Sequence, residues 1–312
     1  MYSFGLIGAA GYIAERHMKA IKETGNNLVW ALDCFDVMGR MDSYFPEAEF
    51  YLHDNSAKNK LNGIQKIPAD FISICSPNYL HPRHIHLALE NSANVICEKP
   101  LVIYPQELDG LKKREEKTGK KVYTVLQLRY HPAILKLRKE IENNPGKIYD
   151  IDLTYVTSRG KWYFKSWKGD VKKSGGIATN IGIHFFDMLL WIFGKVQKNV
   201  VHLNVDNKAA GFLQLEKANV RWFLSLGCAD LPKEAKDKGL RTFRSINVSG
   251  NEIEFSGGFT DLHTITYQNI LAGNGFGIDD ARESIEITGE IRNASPVGVK
   301  GEVHPFLIRH KA

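Results

Sequence analysis

The sequence predicts an α/β Rossmann nucleotide-binding domain over residues 1–122, followed by an α+β domain over residues 123–312. Three observations predict it. The chain opens as strand, glycine-rich turn, helix and a second strand that ends in an acid. Apolar strands then alternate with helices as far as Tyr123, and from Lys147 the pattern changes to alternating apolar and polar residues. A length of 312 residues is also long for one core and comfortable for two.

In order along the chain, "SFGLIG" supplies the first strand, "GAAGYIA" the turn and "ERHMKAIKETGN" a helix closed by Gly25. Gly8, Gly11 and Ala14 give G-x-x-G-x-x-A, where the usual dinucleotide fingerprint is G-x-G-x-x-G; counting back from Ala14, Gly11 holds the second glycine position. Glycines let the backbone approach a pyrophosphate at a helix N-terminus, where N–H groups and the helix dipole favour an anion. Taken alone, the spacing also suits a βα turn with no ligand. The second strand, "LVWALD", adds Asp33, about 20 residues past the loop, where a carboxylate accepts from both ribose hydroxyls and repels a 2′-phosphate. NAD is therefore expected over NADP.

"ADFISICS" is nearly all apolar, as strands covered on both faces are. The helix "PNYLHPRHIHLALENS" follows, with Ile85, Ala88 and Leu89 on its inner face, and then "NVICEKPL". Here Val95-Ile96-Cys97 reads as a buried strand with Lys99 at its tip, and Pro100 ends ladder bonding and fixes φ. The plain reading is a solvated lysine beside a turn; the sharper one is a lysine aimed at the crevice beside the C-terminal edge of a parallel sheet. "PQELDGLKKREEKTGK" and "KVYTVLQLRYHP" complete the domain.

Composition is that of an ordinary globular chain, 43% hydrophobic and 24% charged. The opening "MYSFGLIGAAGYIA" has no basic leader or cleavage pattern, and the apolar run Phe185–Phe193 is too short to span a bilayer. Cys34, Cys75, Cys97 and Cys228 lack metal or redox spacing and read as small buried side chains of a reduced compartment. A cytoplasmic protein with no membrane partner and no metal is expected. A net charge of +6 favours an anionic partner without naming it.

In the second half, "KIYDIDLTYVTSRGKWYF", "KNVVHLNVD", "AAGFLQLEKANVRWFLSLGC" and "FRSINVSGNEIEFSG" read as strands, with one helical stretch, "GGIATNIGIHFFDMLLWIFG". Asn180, His184 and Asp187 fall at i, i+4 and i+7 of that helix, on one face within an arc of roughly 60°. Polar groups on an otherwise apolar helix must be paired or face a cavity; a lone histidine there is ordinarily a satisfied core residue. In "TSRGKWYFKSWKGDVKKSGG", six cations (Arg159, Lys161, Lys165, Lys168, Lys172, Lys173) stand against Asp170, with Trp162, Tyr163, Phe164 and Trp167 interleaved. A solvated hairpin and a grip on single-stranded nucleic acid are both open. A nucleotide sugar fits better, since a pyrophosphate and a carboxylate need several cations and a ring can lie on an aromatic face.

The stretch "SICSPNYLHPRHIHLALENSANVICEKPL" resembles the signature of the glucose–fructose oxidoreductase/inositol dehydrogenase family of sugar dehydrogenases, a T/S-P-N-x-x-H segment followed by E-K-P. Within it, "GAAGYIAERHMKAI", "SICSPNYLH", "CEKPL", "LQLRYHPAI", "TSRGKWYFKSWKGD" and "FTDLHTITY" are most similar to bacterial UDP-N-acetylglucosaminuronate 3-dehydrogenases. The resemblance implies a second domain with a large, open, mostly antiparallel sheet that binds substrate and builds a homotetramer. It implies NAD contacts from Gly8, Gly11, Tyr12, Ile13, Asp33, Ser76, Asn78, His81, Glu98, Lys99 and Gln127, and a Lys–Pro bond that is often cis. Substrate contacts would come from Arg129, His131, Arg159, Trp162, Tyr163, Lys168, Asn180 and His184, with Lys99 and His184 catalytic.

"GGIATNIGIHFFD" resembles the family's G-G-x-x-x-D-x-x-x-H, but has Asn180 where most members have Asp. A neutral amide raises the basicity of a nearby imidazole less than a carboxylate does, so either His184 or Lys99 can be the base. "FTDLHTITYQNILAGNGFGIDDARESIEIT" reads as a loop and two helices, similar to a late family segment that docks at the active-site mouth. The reaction implied is NAD-dependent oxidation of the 3-hydroxyl of UDP-N-acetylglucosaminuronic acid (UDP-GlcNAcA), a step toward a diacetamido-uronic acid of lipopolysaccharide O-antigen. A related dehydrogenase for another sugar or inositol, and an NAD-bound sensor without activity, are the alternatives. A nucleic-acid binder is disfavoured by the small charge and the lack of a recognition motif.

Overall fold

The computed structural model describes residues 1–36, 38–52, 68–254 and 261–309. The chain begins β1 (Ser3–Ile7), α1 (Ala14–Glu23), β2 (Asn27–Asp33), α2 (Met38–Tyr44), β3 (Glu49–Leu52), β4 (Phe71–Ile74), α3 (His81–Glu90), β5 (Asn94–Cys97), α4 (Glu107–Thr118) and β6 (Val122–Thr124). It continues α5 (Pro132–Glu142), β7 (Tyr149–Thr157), α6 (Trp162–Lys165), α7 (Val171–Ser174), α8 (Ile183–Phe193), β8 (Val196–Val205), β9 (Lys208–Leu215), β10 (Ala218–Ser225), α9 (Lys233–Asp237), β11 (Thr242–Val248) and β12 (Asn251–Glu254). The last helices are α10 (Leu262–Leu271), α11 (Ile278–Asn293) and α12 (Pro305–Arg309). The chain forms two units, residues 1–127 with 260–282, and residues 128–259 with 283–312. The late segment with two helices, read from "FTDLHTITY…", thus divides between them; its Phe259 and Thr260 lie outside the described residues.

The first unit holds a parallel sheet in the order β3-β2-β1-β4-β5-β6. All four residues of β4 are buried, as the apolar run requires of a strand covered on both faces. α1 packs through Ala14, His17, Met18 and Ile21, a stripe with helical spacing, and the chain leaves it through Gly25 at φ 71°. Against α1 lies α10, whose Tyr267 stacks on Phe4 of β1 with ring centroids 5.8 Å apart. The strand order reverses between β1 and β4, which sets the ligand crevice of an open α/β sheet at their C-terminal ends.

The second unit holds a sheet in the order β12-β11-β7-β10-β9-β8. It is mostly antiparallel, with β7 and β10 parallel, a pairing that needs the long crossover carried by α6–α8. α5 and α8 cover one face, where Phe186 meets Trp222 edge to face at 5.2 Å. Val156, Ala210 and Phe223 pack with Leu231, Ala235 and Leu307 in a smaller cluster. Residues 171–193 would pass for a membrane span by length and hydropathy, yet 83% of the most apolar window is buried in the protein interior.

Three sequence expectations need correction. The basic–aromatic segment is no hairpin: α6, a turn of 3₁₀ helix at Trp167–Gly169 and α7 follow one another, with Ser166 and Asp170 capping the last two. The helix over "GGIATNIG" is π-helical from Ala178 to Gly182 before α8 begins, so a simple 100° wheel does not carry from Asn180 to His184. Of the cysteines, Cys75 and Cys97 are buried but Cys34 and Cys228 are exposed, each following the polar end of its strand rather than lying within it.

Candidate functional site

In the first unit the two loop glycines leave no room for side chains of their own. Gly8 has φ +89°, and a Cβ there would stand 2.5 Å from Ser76 N and 2.6 Å from the Cys75 carbonyl carbon. At Gly11 a Cβ would meet Gly8 O at 3.1 Å. At these two positions the loop is therefore bare backbone against the end of β4, and α1 begins after Ile13 without a side-chain cap, an arrangement suited to a pyrophosphate. Tyr12 is exposed on the loop. Asp33 is held by three backbone N–H groups: Oδ2 accepts from Ala10 at 2.8 Å, and Oδ1 accepts from Cys34 at 2.7 Å and Phe35 at 3.1 Å. That grip fixes the carboxylate at the loop and leaves a lone pair on Oδ2 for a ribose hydroxyl. Arg40 of α2, not singled out by its sequence, donates to Gly11 O at 3.0 Å.

The buried Oε1 of Gln127, just past β6, has no partner among the described residues, nor has Oγ1 of Thr124. A cradle bare at Gly8 and Gly11, a fixed acid and orphaned buried oxygens fit a dinucleotide. Gly8→Ala is expected to weaken NAD binding at least tenfold in a fluorescence titration, since strain of about 1–2 kcal/mol in the backbone adds to the collision with β4.

At the tip of β5, Glu98 N donates to Ile74 O at 3.0 Å and the Lys99–Pro100 peptide is cis. His81, buried at the start of α3, spans Pro100 O at 2.7 Å (Nδ1) and Ser76 O at 2.8 Å (Nε2). Ser76 Oγ meets His84 Nδ1 at 2.8 Å, and Asn78 is buried beside this turn. Lys99 itself is half-buried, whereas the Glu98 side chain turns into the interior. There Glu98 Oε1 accepts from His17 Nε2 at 3.0 Å and from His263 Nε2 at 2.9 Å. Burial opposes charge on Glu98, yet the hydrogen bonds from His17 and His263 hold its carboxyl well below the usual range. Burial pushes the His17 imidazole down. His17 and His263 were not singled out from the sequence; the available signal was His17 on the apolar stripe of α1.

In the second unit, Asp187 accepts from Arg129 Nε at 3.0 Å and Nη2 at 2.7 Å, a buried bidentate pair. His131 accepts from Ala133 N at 3.3 Å as the cap of α5. Arg129 and His131 were expected at the substrate, and both have these partners inside the protein. Asn180 Nδ2 donates to the Tyr163 phenol oxygen at 2.8 Å, leaving the phenol proton for another acceptor. Burial raises the Tyr163 pKa. His184 is half-buried while residues 181–183 and 185–190 are buried. The Lys168 ammonium lies over Trp162 at 5.4 Å and Trp167 at 5.7 Å, and its pKa is lowered by burial and then by Arg159. Arg159, Trp162, Tyr163, Lys168 and Asn180 thus form one polar–aromatic group.

Residues 2–126 match the NAD-binding Rossmann-fold domain of the oxidoreductase family GFO/IDH/MocA, and residues 138–229 match that family's C-terminal α/β domain. The chain belongs to this family. Among solved members, the WlbA (WbpB) dehydrogenase of Thermus thermophilus with NAD and α-ketoglutarate superposes with a TM-score of 0.92 at 50% identity, covering 98% of this chain and 100% of that one. The same dehydrogenase with NAD and UDP-GlcNAcA gives 0.92 and 48%, with equal coverage. The glucose-6-phosphate 3-dehydrogenase of Bacillus subtilis is 28% identical over 198 residues, 62% of this chain and 54% of that protein. The chain therefore matches about half the length of such curated relatives. Family membership assigns the first unit as an NAD-binding Rossmann domain.

Proposed function

We propose that this oxidoreductase oxidises the 3-hydroxyl of UDP-GlcNAcA to the 3-keto sugar with NAD. The observation that carries the proposal is a family member 48% identical over 98% of this chain that binds NAD and UDP-GlcNAcA. NAD, held by Gly8, Gly11, Tyr12, Ile13, Asp33, Ser76, Asn78 and Gln127, supplies the hydride acceptor. His81, expected from the sequence to touch NAD, has both ring nitrogens tied to the Ser76 and Pro100 carbonyls and braces the turn. Lys99 binds the 3-oxygen and stabilises the charge that develops there, while His184 accepts the hydroxyl proton. The Tyr163 phenol and Asn180 orient the sugar, and Arg159 and Lys168 meet the pyrophosphate or the uronate, with Trp162 beside them. Hydride transfer of this kind requires no metal. A cytoplasmic homotetramer on the route to a lipopolysaccharide sugar completes the proposal, with no nucleic-acid or membrane partner.

Incubation with NAD and UDP-GlcNAcA is expected to yield a keto sugar two mass units lighter by mass spectrometry. Oxidation of glucose 6-phosphate or inositol, with UDP-GlcNAcA untouched, would overturn the assignment. Because a close structural relative holds α-ketoglutarate, that keto acid is proposed as second substrate. Adding it is expected to produce 2-hydroxyglutarate in equal amount to the keto sugar, without free NADH accumulating.

A further inference from the structure

We infer that His17, Glu98 and His263 form a buried positioning device for Lys99. The inference rests on the proposed role of Lys99 in oxidising the sugar. It assigns Glu98 a different task from the nucleotide contact implied by family resemblance.

Both carboxylate oxygens of Glu98 are engaged inside the first unit. Oε1 receives His17 Nε2 and His263 Nε2, and Oε2 accepts the backbone N–H of Lys99 at 3.3 Å. A carboxylate only accepts, so both Nε2 atoms carry protons. His17 Nδ1 is then an acceptor, and it faces the Tyr267 hydroxyl at 2.7 Å. That oxygen in turn meets Ser73 Oγ at 2.6 Å. Donors and acceptors therefore run in one consistent direction, from Ser73 through Tyr267 and His17 to Glu98, with His263 joining from α10. Nδ1 of His263 is buried and meets no partner among the described residues, so Glu98 is the hydrogen-bond partner that orients this ring.

The device ties the peptide nitrogen of Lys99 to α1, β4 and α10, all in one unit. On the other side of Lys99, His81 grips the Pro100 carbonyl. Main chain is held on both sides, while the lysine side chain stays half-exposed. The ligand atoms of His17, Glu98 and His263 also lie within 4.8 Å of one another, close enough to raise a metal as the alternative. Two ring nitrogens at 2.9 and 3.0 Å from a single oxygen is the geometry of N–H donation to an anion.

The test compares Glu98→Gln, His263→Leu and His263→Gln. Glu98→Gln and His263→Leu are expected to lower kcat at least about tenfold, the cost of a misplaced reacting group, with NAD Kd and sugar KM within about twofold. His263→Gln keeps an N–H toward Glu98 and is expected to recover most of kcat. A loss of NAD affinity with kcat retained would make Glu98 a nucleotide ligand and overturn the inference. So would a His263→Leu protein altered in Tm alone, or a stoichiometric metal whose removal reproduces the His263→Leu defect. Should wild-type protein leave UDP-GlcNAcA unoxidised, the functional proposal fails by itself. The device is then read from the rate at which a neutral acylating reagent modifies Lys99 in the NAD-bound protein, mapped by peptide mass spectrometry. A rate changed severalfold in His263→Leu and restored in His263→Gln supports it, and equal rates in all variants overturn it.

Discussion

Lys99→Ala is expected to lower kcat for UDP-GlcNAcA oxidation by about 10²–10⁴-fold, the range for losing one positioned proton-transfer or charge-stabilising group. NAD affinity should change little, because the phosphate cradle is built from Gly8, Gly11 and the start of α1. His184→Ala is expected to fall in the same range. The two variants differ in pH dependence. With His184 as the base, the acid limb of kcat/KM disappears in His184→Ala and persists in Lys99→Ala. Rescue of Lys99→Ala by small primary amines would confirm that the missing group is the ammonium. Near-normal turnover in both single variants would end the assignment.

What the sequence disclosed follows the range of the interactions concerned. The strand, glycine turn and helix at residues 3–23, and Asp33 at the end of β2, depend on neighbours a few residues away, and they were legible. So was the alternation of apolar strands with helices, since each strand advertises its own burial. The basic–aromatic segment misled because charge and aromatic content set exposure, not backbone path. The capping side chains of Ser166 and Asp170 wind it into short helical turns instead of a hairpin. The π-helical turn at Ala178–Gly182 changes hydrogen-bond register without changing composition, so spacing alone placed Asn180 and His184 on an ideal wheel. The least legible feature was the cluster around Glu98. His17 and His263 are 246 positions apart in the numbering, on α1 and α10, and only folding brings them to one carboxylate oxygen.

The same long-range problem governs the second large effect. Arg129→Leu is expected to destabilise the protein by about 3–5 kcal/mol, the cost of leaving one member of a buried ion pair without its partner. Asp187 sits in the packed interior of α8, and both its oxygens are met by the Arg129 fork, which a lysine cannot reproduce. The guanidinium also lies 5.8 Å from the Trp191 ring, so indole fluorescence reports the environment of the pair during unfolding. Replacing both partners, Arg129→Leu with Asp187→Leu, is expected to restore much of the lost stability, because no unpaired charge remains inside. Urea titration of the single and double variants measures the coupling directly. Asp187 follows His184 by three positions on the same helix, so losing the pair should also lower kcat modestly through α8, well short of the loss in His184→Ala. A sugar KM raised tenfold in Arg129→Leu, with the urea midpoint unmoved, would return this arginine to the substrate and remove it from the fold.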